Sequence, residues 1–303
     1  MSGVAVVVVN YASSALLAEC LLPLIRSDPA LSAVVVDNRT TDAERAEVLA
    51  LGAAHGWRVL TPAENLGFGT GMNLGVAAAF EDGADAVLLL NPDASIGPDA
   101  VRTLAAAVAA DPMLLAAPRI DRPDGTLWSA GHDLDLRDGS MRARRRRIVG
   151  VPVQEWLTGA CLMVSRTLWE AVDGFADEYF LYWEDVDLSA RVLAAGGRLA
   201  VLDDAVAVHA EGGTQGVGLR SAGTAKSVTY YYFNVRNRLV YAALLLAPED
   251  LQRWRRHDLR LLWAVVKQGG RRQLLTAPHR SLLPALRGLR DGRRLSRELL
   301  SRR

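Results

Sequence analysis

Apolar positions along this chain come in blocks and do not simply alternate with polar ones. VAVVVVNY (4–11) is a β-branched run without the two-residue alternation of a half-exposed strand, which predicts a strand buried on both faces. A stretch with helical spacing, 13–27, follows it. SAVVVDN (32–38) then repeats the first pattern and ends in Asp37. Beyond it the spacing predicts a helix over 42–55, a short strand at WRVL (57–60), a helix over 69–82, a fourth strand within ADAVLLLNPDA (84–94) and a helix over 98–110. Strands alternating with helices predict an α/β fold, a mostly parallel sheet with helices on both faces. Three of the apolar strands end in a polar residue, at Asn10, Asp37 and Asn91, with Asp93 just beyond. Ligands of open α/β sheets sit outside the carboxyl ends of the strands, so three such endings predict a site there.

The pattern changes over 120–155. PDGT (123–126) signals a turn, and RARRRR (142–147) is a basic run between DG and VG, read as the exposed loop of an antiparallel excursion. A strand in WLTGACLMVS (156–165) and a helix over 166–172 lead to YFLYWEDVDLSAR (179–191), where four aromatics precede Glu184, Asp185 and Asp187. A helix from there to Ala195 is stopped by Gly196 and Gly197. Strands at 198–202 and 206–209 run into HAEGGTQGVG (209–218), a glycine-rich loop, and from 225 the chain reads as helical with interruptions near Pro248 and Pro278.

Composition adds an asymmetry to this picture. The net charge is +1, yet residues 252–303 hold 15 Lys and Arg against 3 Asp and Glu, leaving 20 basic and 31 acidic residues in 1–251. The two parts therefore do different work. No apolar run approaches the roughly 20 residues of a membrane span, and no basic residue precedes the first apolar run as in a secretory leader. Cys20 and Cys161 both sit in apolar stretches, which suits reduced thiols. A cytoplasmic protein is expected.

Several motifs carry candidate chemistry. NPDA sets Asp93 at the end of a buried strand, where a hard divalent cation could bind through one carboxylate and substrate phosphates; the plain alternative is a turn. NLGFGTGMNLG (65–75) puts four glycines before and into a helix, either a tight loop or a cradle of amides for an anion. It lacks the GK[ST] of a phosphate-binding Walker loop. His209 stands between a strand and the glycine loop, as a structural residue or as a metal or diphosphate ligand. The acids of 184–187 are either a helix start, where negative charge favours the dipole, or a catalytic carboxylate beside an aromatic pocket.

These residues resemble the family 2 glycosyltransferases of the GT-A fold, and within them the bacterial rhamnosyltransferase-like group. VVVVNY, VVVDNRTTD, NLGFGTGMNLG, LLLNPDA, LTGACLMVSR, GFADEYFLYWEDVDLSAR and VRNRL occur in the family's order over about 4–240. The resemblance implies a GT-A fold with a mostly parallel nucleotide-binding sheet and a helical C-terminal extension. It implies a catalytic domain over 1–224, with a nucleotide-sugar half to about 118 and an acceptor half over 119–224, followed by a basic extension, 225–303. The implied activity is inverting transfer of a deoxysugar, L-rhamnose from dTDP-L-rhamnose, to a hydroxyl of a cell-surface glycan, a lipid-linked glycan or a secondary metabolite. The donor nucleotide is dTDP or UDP, and Mg2+ or Mn2+ assists departure of the diphosphate.

The resemblance also assigns residues. Asn10 and Tyr11 line the nucleoside pocket, Asp37 bonds base or ribose, and Asn65, Gly67 and Asn73 close around the donor together with Asn91 and Asp93. Asp93 stands for the last acid of the family's DxD motif, and Asn91 replaces the first, so metal binding leans on the diphosphate, with His209 as second protein ligand. Arg39 departs from the family's usual small polar residue. Asp185 is the general base and Glu184 its alternate; a helix N-terminus is expected to lower the base's pKa. Trp183, Tyr182 and Gly159 face the acceptor, with Tyr179 nearby, and Asp187 and Arg191, four apart, form a structural ion pair. Two other readings are a sugar nucleotidyltransferase, which needs a basic glycine-rich loop where this chain has NYASS, and a sugar-nucleotide-binding scaffold without turnover.

The tail interleaves arginine with leucine, as in LRLLWAVV (259–266) and LLPALRGLRDGRRLSRELL (282–300). Such a basic amphipathic stretch predicts peripheral, salt-sensitive binding to anionic membrane at the inner face of the cell membrane. The alternative is leucines packed on the acidic main domain or across a homodimer. Nucleic acid is a poor third, since no recognised module accompanies the charge.

Overall fold

The computed structural model describes residues 3–144, 149–210 and 226–302, without the side chains of Arg271 and Arg272. Half of the basic run (145–147) and the glycine loop over 211–218 therefore lie outside the described residues.

The elements follow in chain order. Strand β1 (Val4–Asn10) leads to a helical stretch of α1 (Ser14–Leu16), a π-turn (Leu17–Leu21) and α2 (Leu22–Ser27). Then come β2 (Leu31–Asp37), α3 (Asp42–His55), β3 (Arg58–Leu60), α4 (Phe68–Glu81), β4 (Ala86–Leu90), β5 (Ala94–Ile96) and α5 (Pro98–Ala110). Six strands follow: β6 (Leu114–Asp121), β7 (Leu127–Ser129), β8 (His132–Asp135), β9 (Met141–Ala143), β10 (Val153–Trp156) and β11 (Cys161–Ser165), of which β10, β8 and β9 form a separate sheet in that order. The remainder is α6 (Arg166–Val172), α7 (Glu184–Ala194), β12 (Arg198–His209), α8 (Val228–Leu245), α9 (Pro248–Arg256), α10 (Asp258–Lys267), α11 (Gly270–Thr276) and α12 (Pro278–Leu300).

The main sheet has the order β3-β2-β1-β4-β11-β6-β12-β5, with β7 on β6. Its first four strands are parallel, as their crossover helices require. From β11 onward the sheet is mixed, with β11 antiparallel to both neighbours and β12 parallel to β6. The two strands expected at 198–202 and 206–209 are one strand with a register shift between Leu202 and Val206. Alternate residues of β1 feed the two cores. Val6 and Val8 join Leu17, Val101 and Leu104 on one face; Ala5, Val7 and Val9 join Met72, Val76 and Leu188 on the other. Burial on both sides is why no polar alternation marks this strand.

The chain divides into two compact units. One comprises Met1–His132, Glu155–Asp177 and Glu184–Gly216; the other comprises Asp133–Gln154, Glu178–Trp183 and Val217–Arg303. In the second unit the VRNRL residues on α8 act as a clamp. Asn237, fully buried, donates to the carbonyls of Leu181 (2.9 Å) and Tyr182 (2.7 Å), and Arg236 donates to that of Glu178 (3.1 Å). These bonds hold a segment in which Tyr182 and Trp183 adopt left-handed φ of 67° and 77°, costly for residues with a Cβ. Arg238 is also buried, bonded to Asp258 (2.8 Å) and to the carbonyls of Asp138 and Trp254. Its charge is thus paired and its other N–H groups are bonded, the conditions under which burial is tolerable.

Candidate functional site

The β1–β2 register pairs Asn10 with Asp37, and the β1–β4 register pairs Val7 with Leu89. Three polar strand ends therefore finish at one level of the sheet. Asp37 is fully buried and both its oxygens are engaged: Oδ1 accepts from Asn10 Nδ2 (3.2 Å), and Oδ2 pairs with Arg45 Nε (2.8 Å). A nucleoside contact by Asp37 would have to exchange one of these. Asn10 also donates to Glu44 (3.1 Å), while its own buried Oδ1 has no partner. Tyr11, one residue on, is 45% exposed. Arg39, the departure from the family pattern, pairs at the surface with Asp42 (3.0 Å).

The 65–75 segment is organised mainly for packing. Asn38 brackets its start, donating to Gly67 O (2.7 Å) and accepting from Leu66 N (2.8 Å), and Asn65 accepts from Gly67 N (2.9 Å). Gly67 takes φ +80° at the N-cap of α4. A Cβ at Gly75 would lie 2.5 Å from Val7, so this glycine lets α4 settle onto β1. Asn73 uses both ends of its amide on the backbone of Phe175 (2.8 and 2.9 Å), which anchors that turn. Nothing in the sequence pattern singles out Asn38; its two bonds join segments 28 and 29 residues apart.

Asp93 follows β4, and β5 then pairs antiparallel with β12 so that His209 faces Ala94. This pairing brings residues more than a hundred positions apart into contact. His209 Nε2 lies 3.1 Å from Asp93 Oδ1, both groups are buried, and Asn91 Nδ2 is 3.5 Å from the same nitrogen. Asp93 Oδ1 and His209 Nδ1 are without hydrogen-bond partners. A buried carboxylate oxygen and imidazole nitrogen that converge without hydrogen-bond alignment suit a divalent cation completed by phosphate oxygens. Among the described residues no group of three metal-ligating side chains occurs, so a resident ion without substrate would be weakly held. Trp128 on β7 packs against the His209 ring, centroids 4.4 Å apart and planes tilted by 31°, a contact the sequence pattern did not signal.

The second carboxylate cluster opens α7. Asp185 Oδ2 accepts from Gly159 N (2.9 Å) and Oδ1 from Val186 N (2.9 Å). Gly159 lies in the loop between β10 and β11, and a Cβ there would meet Asp185 Cβ at 3.5 Å. Ala160 O in turn accepts from Asn91 N (2.9 Å), so one short loop ties the Asp185 end of the unit to the Asp93 end. Burial raises the Asp185 carboxyl to about 6, against the backbone donors that oppose the shift. This corrects the lowered pKa expected from the helix dipole: desolvation outweighs the terminal N–H groups. Glu184 is 6% exposed, its Oε2 has no partner, and burial followed by the Asp185 charge holds it well above the usual carboxylate range. Asp187 forms the expected ion pair with Arg191 (2.5 Å).

The aromatic residues before this helix belong to the second unit and are engaged within it. Tyr179 is fully buried; Trp183 is 5% exposed against Tyr241 and Trp254. Tyr182, half-buried, meets Tyr230 edge-on at 5.5 Å. In this arrangement the Trp183 ring is core, and Tyr182 keeps the more accessible face.

With this geometry in view, residues 2–242 match the model of the family described as glycosyltransferase like family 2. An N-acetylglucosaminyl-diphospho-decaprenol L-rhamnosyltransferase of Mycobacterium tuberculosis is 28% identical over 300 aligned residues, covering 85% of this chain and 97% of that protein. The crystal structure of GalNAc-T7 with UDP, GalNAc and Mn2+ superposes with a TM-score of 0.59 at 13% identity, over 97% of this chain and 55% of that one, about half its length. The mannosyltransferase PcManGT from Pyrobaculum calidifontis, in complex with GDP-Man and Mn2+, gives 0.56 at 18% identity over 96% of this chain and 86% of that one. At these identities the two structural likenesses speak to the fold alone.

Proposed function

The chain belongs to glycosyltransferase family 2, with the GT-A fold, and on that premise we propose that it transfers L-rhamnose from dTDP-L-rhamnose, with inversion, to a hydroxyl of a lipid-linked glycan. The observation that carries this reading is the pair of carboxylate clusters within one compact unit, joined through Gly159, Ala160 and Asn91. The M. tuberculosis relative, named for an L-rhamnosyl donor and a decaprenol-linked acceptor, supports both substrate classes.

The residues divide the work. Tyr11 offers its exposed ring to the nucleobase, and Asn10 Oδ1 is an acceptor in want of a donor. Asp93 and His209 would hold Mg2+ or Mn2+, which neutralises charge on a departing diphosphate. Asp185 takes the proton of the acceptor hydroxyl as that oxygen attacks the anomeric carbon; a base with a pKa near 6 is ionised at neutral pH yet basic enough to help. Gly159 N and Val186 N hold its oxygens in place. Glu184 lies beside it, its carboxyl held well above the usual carboxylate range by burial and then by the Asp185 charge.

A panel of dTDP, UDP and dTDP-L-rhamnose, with and without Mn2+, tests the reading by thermal shift and by release of nucleotide. Metal-dependent stabilisation by dTDP, together with turnover on a polyprenyl-diphosphate glycan, is expected. Binding without any hydrolysis or transfer would favour a sugar-nucleotide-binding scaffold.

A further inference from the structure

Helix α12 is amphipathic in an unusual sense. The face it packs inward mixes Leu289 and Leu299 with a row of small residues, Ser281, Ala285, Gly288, Gly292 and Ser296, and Pro284. A Cβ at Gly288 would lie 2.3 Å from Tyr232 O, and one at Gly292 would lie 2.8 Å from Arg236 O, so small residues let α12 rest on the backbone of α8. Two leucines of its first half are turned outward instead: Leu283 is 50% and Leu286 43% exposed. Leu275 before them is 80% exposed, and on α10 Leu259 and Trp263, four apart on one face, are 69% and 41% exposed.

These five are among twelve large apolar residues that are exposed in the described structure, and they fall within 28 consecutive positions. Over 259–290 there is no Asp or Glu and there are seven Lys and Arg. Lys267, Arg280 and Arg287 are exposed and make no side-chain hydrogen bond or ion pair among the described residues. Arg293 pairs with Asp258 (2.7 Å), bringing the start of α10 to the far part of α12, and α11 joins their other ends. The two helices therefore run antiparallel, with the Trp263–Lys267 half of α10 beside the early turns of α12. Among the described helices none is long and apolar enough to cross a membrane.

We propose that this part of α10–α12 is a docking surface for an anionic lipid bilayer. Leu275, Leu283, Leu286 and Trp263 enter the headgroup–acyl boundary, and Lys267, Arg280 and Arg287 meet lipid phosphates. Tryptophan and leucine ringed by unpaired basic side chains suit an interface that is apolar below and negatively charged above. A second copy of the chain would present the same uncompensated positive charge, so self-association through this face is opposed where lipid binding is favoured. The surface extends the reading of a lipid-linked acceptor, but stands on separate residues.

The test is co-sedimentation of the full chain with phosphatidylcholine vesicles and with phosphatidylcholine–phosphatidylglycerol vesicles, neither containing acceptor, at low and high salt. The chain should pellet with the anionic vesicles at low salt and be released by high salt. The triple variant Lys267→Gln, Arg280→Gln, Arg287→Gln should bind roughly 100-fold more weakly, at about fivefold per basic residue. Leu283→Ser with Leu286→Ser should lose binding at unchanged thermal stability and dTDP binding, since both side chains already face solvent. No pelleting of the wild-type chain, equal pelleting with neutral vesicles, or a dimer that the double serine variant dissolves would each overturn the proposal. Failure here leaves the transfer reading intact, because dTDP binding and sugar transfer to a soluble acceptor analogue are measured without vesicles.

Discussion

Two acidic clusters of the first unit illustrate how neighbours decide what a carboxylate is for. At the turn after β4, Asp93 faces an imidazole nitrogen at 3.1 Å, and the atoms left without partners are an oxygen and a ring nitrogen. At the start of α7, Asp185 faces amide donors and a second acid, and the atom left over belongs to Glu184. The first arrangement is short of positive charge and suits a cation. The second sets two acids side by side in a desolvated site, so Glu184 is held well above the usual carboxylate range and Asp185 is raised to about 6. In the sequence both are simply acids at the end of a strand or the start of a helix; only their surroundings separate a metal ligand from a base.

The widest separation of the two should come from Asp185→Asn. It preserves shape but removes the basic oxygen and sets an amide NH2 against one of the two backbone N–H donors, so kcat should fall on the order of 10²–10⁴-fold with dTDP affinity unchanged. Steady-state transfer and nucleotide titration measure the two quantities. Near-wild-type kcat would move the base elsewhere.

Breaking the other cluster should give the opposite signature. Asp93→Ala or His209→Ala should weaken Mn2+-dependent dTDP binding by roughly 10–100-fold, the scale on which metal sites respond to lost support, and leave thymidine binding unaltered. Calorimetric titration with dTDP and with thymidine distinguishes them; equal losses for both ligands would make Asp93 structural. Trp128→Ala, which frees the His209 ring without removing a ligand, should shift the same titration in the same direction by less.

Much of this was legible in the sequence, and for identifiable reasons. Strands β1, β2 and β4 announce themselves because burial on both faces leaves uninterrupted apolar runs. Strand β6 does not: LLAAPRID is alanine-rich and carries Pro118, which cannot donate to a ladder, and its partner β12 accommodates it with a register shift after Leu202. The Asp93–His209 meeting depends on a β5–β12 pairing that spacing cannot reveal, so only the family resemblance suggested it. The pKa of Asp185 was anticipated with the wrong sign, because the helix terminus is visible in sequence while the depth of burial is not.

That burial has a consequence in pH. If Asp185 must be ionised to act, kcat/KM should rise with pH through about 6 and level off above it, and the limb should vanish in Asp185→Asn. Stability should respond in the reverse sense. The native carboxyl holds its proton to higher pH than the unfolded one, whose value is near 3.8, so this group's contribution falls as pH rises from about 4 to 6. A pH–rate profile and thermal unfolding over the same range measure the two effects independently.

The smallest expected effect is the most discriminating. Glu184→Gln replaces a buried carboxyl, held well above the usual carboxylate range, by a neutral group of the same shape. Its Oε2 has no partner to lose, and the residue stays within a well-packed first turn. Transfer should remain within about threefold of wild type, far less than loss of a general base costs. Removing the second acid also leaves the Asp185 carboxylate alone in its pocket, so the acidic limb should sharpen toward a single titration. If instead Glu184→Gln abolishes transfer while Asp185→Asn is tolerated, the roles within the pair are reversed: the more deeply buried acid is the base, and the amide-held Asp185 serves to position it.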